Sequence, residues 1–98
     1  MALTHSLLAP GELAQQVGAN AREMRLAKNL SRKTLAQMAG VSESTIKRFE
    51  SHGQITLDGL VLIATALGAT FQIAELFKHD HPISLEEIKR TGRTRGRK

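Results

Sequence analysis

A single glycine, Gly40, joins two short helical patterns, and this junction constrains the fold more than any other feature of the chain. Residues 30–50 read Leu-Ser-Arg-Lys-Thr-Leu-Ala-Gln-Met-Ala-Gly-Val-Ser-Glu-Ser-Thr-Ile-Lys-Arg-Phe-Glu. Ser31 suits an N-cap, because its hydroxyl can accept a backbone N–H that the first helical turn leaves unpaired. Leu35, Ala36, Met38 and Ala39 follow on one side at helical spacing. Gly40 stands where that helix should stop, since glycine enters the left-handed conformation of a C′ position without steric cost. Val41 fills the corner and Ser42 offers a second cap. Ile46 and Phe49 then give the next helix its apolar stripe, which ends near Glu50. Ala36 is small enough for the second helix to cross close over the first.

Two helices of about eight residues joined by a tight glycine turn have the build of a helix-turn-helix. The flanking sequence supplies further helices. Pro10 can open one, where its missing N–H costs nothing. Leu13, Val17, Ala21 and Met24 give that helix an apolar stripe ending near Asn29, weakened by Gly18. Ser-His-Gly-Gln-Ile after Glu50 reads as a loop. Thr56 caps a helix from Leu57 to Leu67, closed by Gly68, with Leu57, Leu60, Ile63, Ala64 and Leu67 as its core stripe. Leu62 and Ala66 lie on its other face, where a monomer places polar residues, so they are the candidate dimer or partner contact. Thr70 begins a last helix to about Phe77, with Phe71, Ala74 and Phe77 closing the bundle. The fold class expected is all-α, a compact bundle of about five helices around a central helix-turn-helix.

The domain spans residues 10–77 on this reading, between an N-terminal arm (1–9) and a C-terminal stretch (78–98). Ser84 with Glu87 forms a capping-box pattern for a short helix, and a tail without apolar residues follows. That tail is expected to be flexible. It also carries the charge. Residues 89–98 hold six of the chain's fourteen Lys and Arg and no acid, which leaves eight basic residues against nine acidic ones elsewhere. Attraction for nucleic acid therefore depends on local placement and on the tail.

In this order and spacing, Leu-Ser at 30–31, Leu-Ala at 35–36, Ala-Gly-Val-Ser at 39–42, Ser-Thr-Ile at 44–46 and Phe-Glu at 49–50 resemble the Xre/Cro/phage-repressor helix-turn-helix family. Val17-Gly18 and Arg22-Glu23-Met24-Arg25 extend the resemblance upstream. Leu57, Leu60 and Ile63-Ala64-Thr65-Ala66-Leu67-Gly68 extend it downstream, to cover residues 13–70. The resemblance implies a small helical bundle that binds a double-stranded DNA operator, usually as a homodimer, in the cytoplasm at the nucleoid. Residues 75–87 and the arginine-rich end are similar to small regulators encoded beside high-persistence-type kinase toxins. Such antitoxins bind the toxin and repress their own operon. The competing class is a protein-interaction adaptor, or toxin-neutralising subunit, that no longer binds DNA; Lys47, Arg48 and the basic tail speak against it.

A recognition helix reads bases mainly with its N-terminal side chains. At about 100° per residue, Ile46 and Phe49 mark the buried side, and Ser44, Lys47 and Arg48 face away from it. Glu43, Ser44 and Lys47 are therefore the candidate base readers: lysine suits guanine O6 and N7, and glutamate accepts from the cytosine amine. Alternatively, Glu43 and Lys47, four apart, form no more than a surface ion pair. Arg32, Ser42, Arg48 and Ser51 are candidate phosphate contacts, joined by Arg93, Arg95 and Arg97 of the tail. The family usually has glutamine at the position of Arg32, where it braces the recognition helix and meets a phosphate. Arginine keeps the phosphate contact and puts the brace in question. For Glu50 the resemblance implies a structural role, paired with Arg22 or Arg25.

Other chemistries find little footing. The chain has no cysteine, hence no disulfide or thiolate site, and no cofactor is implied. His79-Asp80-His81 lacks further ligands nearby, so no metal site is expected. No serine–histidine arrangement for catalysis can be inferred, and the chain does not read as an enzyme. Three Phe and no Trp or Tyr argue against base-stacking recognition of single strands. No apolar run approaches the roughly 20 residues of a membrane span, and the N-terminus lacks the basic region of a secretory signal.

Overall fold

The computed structural model describes residues 8–79, which form five α-helices and no strand among the described residues. They are α1 (Pro10–Ala27), α2 (Arg32–Ala39), α3 (Glu43–His52), α4 (Leu57–Ala66) and α5 (Thr70–Ala74). The N-terminal arm beyond Leu8, the Ser84–Glu87 helix and the arginine tail lie outside the described residues.

Local chemistry sets most boundaries. The hydroxyls of Ser31, Ser42 and Thr56 accept from the backbone N–H of Thr34, Thr45 and Gly59, capping α2, α3 and α4 as the sequence indicated. Gly40 is left-handed at φ 74° and closes α2, and Gly53 does the same for α3. α3 thus runs two residues past the expected end at Glu50. At the start of α1, the Glu12 carboxylate accepts from the Ala9 N–H at 2.9 Å. Asn29, at φ 58°, turns the chain out of that helix toward α2.

The core is Leu35, Ala36 and Ala39 of α2, Ile46 and Phe49 of α3, and Ile63 and Leu67 at the end of α4. α1 packs chiefly on α3, α2 on α3 and α4, and α5 on α4. Val41 packs half-buried against the core at the corner.

Several expected core residues are not there. Leu13 and Val17 are exposed, because the face that α1 turns toward α3 is Ala14, Gly18, Ala21 and Arg25, with Gly18 and Arg25 buried. Gly18 is the crossing point: a Cβ there would collide with the Phe49 carbonyl oxygen, so only glycine permits this approach. Met38 is exposed, and Leu57 is 69% exposed at the first turn of α4, beyond the reach of the other helices. α5 is shorter than expected, is capped by no side chain, and leaves Phe71 75% exposed and Phe77 fully so. Ile73, and Glu75 just past the helix end, are half-buried, whereas Phe71 and Ala74 are exposed. A five-residue helix that packs chiefly on α4 presents too little face to bury an aromatic stripe. No helix among the described residues is long and apolar enough to cross a membrane.

Candidate nucleic-acid interface

α3 is held from behind and open in front. Behind, Ile46 and Phe49 are almost wholly buried, and Glu50 brings a carboxylate into the same interior face. An unpaired charge there would be costly. Arg25 of α1 meets it with two hydrogen bonds, Nε donating to Oε2 at 2.6 Å and Nη2 to Oε1 at 3.1 Å. The Arg25 Nη1 also donates to the Leu30 carbonyl at 2.7 Å, which fixes the link between α1 and α2.

Arg32 completes the cluster, its Nε donating to Glu50 Oε1 at 3.0 Å. The structure thereby resolves two questions left by the sequence. Arg25, not Arg22, is the partner of Glu50, and arginine at position 32 does brace the recognition helix. Its side chain is still 34% exposed, against 1% for Glu50. One carboxylate between two guanidinium groups leaves a net positive charge at the N-terminus of α2, where the helix dipole adds to it. Burial pushes the Glu50 carboxyl up, but the hydrogen bonds and charges of Arg25 and Arg32 outweigh it and hold the group below its ordinary range.

In front, Ser44, Lys47, Arg48 and Ser51 line one open depression together with His52 and Gln54. All six are exposed. The structure thus brings together four of the sequence candidates, while Ser42 and Glu43 stand exposed at the N-terminal end of the same helix. Arg32 lies apart, at the Glu50 brace. Among the described residues Glu43 and Lys47 do not form the ion pair that their spacing allows, so both remain available to a ligand.

Two interactions refine the picture. The Ser44 hydroxyl lies 3.0 Å from that of Ser42, within the N-cap, so its orientation is fixed by the cap. Arg48 Nε donates to Gln54 Oε1 at 2.6 Å, across the turn that ends α3. Gln54 and His52 were missed in the sequence because the helix was expected to stop at Glu50. The glycine at 53, the natural C′ residue, was the signal that could have placed both on this surface.

At the candidate partner face named from the sequence, Leu62 is exposed on α4, with Val61 and Leu57 also exposed on that helix. Ala66 instead packs half-buried against the core. The arginines at 93, 95 and 97 lie outside the described residues.

No curated protein matches the chain. A helix-turn-helix family model matches residues 22–73, more than half of the 98 residues, and runs from the helix that carries Arg25 through the α2–Gly40–α3 unit to α5. With two capped helices about a left-handed glycine, a recognition helix locked at its back and a polar, basic face in front, the chain belongs to the helix-turn-helix family of DNA-binding regulators.

Proposed function

We propose that the chain is a transcriptional repressor that binds a palindromic operator as a homodimer. The observation that carries this reading is the asymmetry of α3. Ile46, Phe49 and Glu50 are buried and braced by Arg25, whereas Ser44, Lys47, Arg48 and Ser51 share one exposed surface. A helix so held can enter the major groove as a rigid body. Lys47, with Glu43 and Ser44, reads base edges. Ser42, Arg48 and Ser51 contact phosphates, and Arg32 adds the surplus positive charge at the start of α2. The tail arginines Arg93, Arg95 and Arg97 extend along the duplex.

Exposed Leu62 supports a second copy or a protein partner on α4. In the sharper form of the proposal, the repressor is the autoregulating antitoxin of a kinase-like toxin, supported by the likeness of residues 75–87 to such regulators. Selecting bound sequences from a random duplex library, then sizing the complex by sedimentation, tests the reading. A palindromic consensus holding two chains supports it; no enrichment over random duplex overturns it. The toxin relation is tested separately, by asking whether the adjacent gene encodes a kinase-like protein that co-purifies with the chain.

A further inference from the structure

Between α1, α4 and α5 lies an apolar groove of about 310 Å³, walled by Val17 and Met24, Leu60, and Ile73 and Leu76, with buried Phe49 in its wall. Its polar members, Asn20 and Gln72, are uncharged. Among the described residues nothing fills it. A cavity of about 150 Å³ accepts a benzene-sized group, so this one has room for about two branched aliphatic side chains.

We infer that the groove is the docking site for residues 83–88 of the same chain. The described residues end at His79, three positions past Leu76, which itself lines the groove. Beyond Phe77 the aliphatic side chains are Ile83, Leu85 and Ile88, and no others. Six residues, 77–82, lie between Leu76 and Ile83, and at roughly 3.3–3.6 Å per extended residue this link is long enough to return the chain to the groove that Leu76 lines.

The segment also has the sequence of a self-capped amphipathic turn. Ser84 and Glu87 make the capping box, and Ile83 and Ile88 occupy the two positions of a hydrophobic staple around it. Leu85 and Ile88, three apart, then share one face. These are the two aliphatic groups for which the uncharged groove has room. Glu86 and Glu87 stay in water. The docking gives the basic tail a fixed root, because Lys89 follows Ile88 directly, and Phe49 links that root to the back of the recognition helix.

The inference concerns only the chain's contact with itself and does not rest on DNA binding. The chain lacks cysteine, so Glu23→Cys, at an exposed position of α1 outside the groove, can carry a single nitroxide on the full-length protein. Selective loss of the amide signals of residues 83–88 relative to 91–98, unchanged on dilution, is the expected result. The loss should disappear in the L85E/I88E variant, whose signals from residues 22–73 show the domain still folded. No selective loss overturns the inference. So does loss that appears only between labelled and isotopically enriched copies, which would give the groove to a second chain.

Discussion

Arg25 and Glu50, 25 residues apart in sequence, meet in a buried two-point ion pair that ties α1 to the recognition helix. With Arg32 on the second carboxylate oxygen, three helices converge on one carboxyl group. The exposed face of α3 is thereby held through its back, where solvent and salt screen least.

Glu50→Ala should lower folding stability by about 3–5 kcal/mol, since it leaves two arginines facing each other without their counter-charge. The pH dependence follows from the sign of the shift. The Glu50 carboxyl is held below its ordinary value, 4.5, in the folded protein. Its stabilisation is therefore present above the unfolded-state value and is lost as pH falls through the lower folded-state value. Denaturant titrations of the native protein and of Glu50→Gln should show a gap that closes as pH drops below 4.5. A gap independent of pH would mean that ionised Glu50 contributes nothing.

Gly18→Ala is expected to destabilise the fold by about 1–3 kcal/mol or more, because the added methyl meets the Phe49 carbonyl, which cannot swing aside as a side chain can. Gly11→Ala, in the same helix with open space around it, is the control and should be neutral or stabilising in thermal melts.

Lys47→Ala should weaken operator binding by about 1–3 kcal/mol and relax preference at one base pair per half-site. Its exposure on the face away from buried Phe49 motivates this. Equal losses on operator and random duplex, measured by anisotropy titration, would reduce Lys47 to a phosphate contact.

Leu62→Glu should yield monomers or abolish partner binding while leaving the melt nearly unchanged, because the side chain is exposed rather than in the core. Sedimentation decides: an unchanged mass with unchanged partner binding would make Leu62 a solitary surface leucine.

Removing residues 91–98 takes away Arg93, Arg95, Arg97 and Lys98. If these neutralise phosphates, the slope of log K against log salt should flatten by about 1–4 units per subunit, at roughly 0.9 per contact. Parallel slopes for the full and shortened chains would place the tail off the DNA.

The elements that could be read from sequence are those fixed by neighbours along the chain. Ser31, Ser42 and Thr56 cap within three residues, and Gly40 turns on its own backbone, so the helix-turn-helix and its exposed face were legible. Leu13, Val17, Leu57 and Phe71 were misplaced because periodicity tells which residues share a face, not what packs against it. The true contact face of α1 was hidden for a related reason. Gly18 contributes by lacking a side chain and Arg25 by carrying a charge, so neither counts toward an apolar stripe. Arg32 looked like a phosphate contact alone, since its bond to Glu50 spans 18 residues and depends on the packing of three helices.

The close seat of Gly18 under Phe49 also has a consequence in time. The two residues are separated by the second half of α1, all of α2 and most of α3, so their contact forms only when a loop of about 30 residues closes, at an entropic cost that grows with its length. Short capped helices such as α2 and α3 are marginal by themselves in water. The length of α3 alone therefore does not hold it in place on a growing or refolding chain; its outer face takes its final position when α1 closes onto its back.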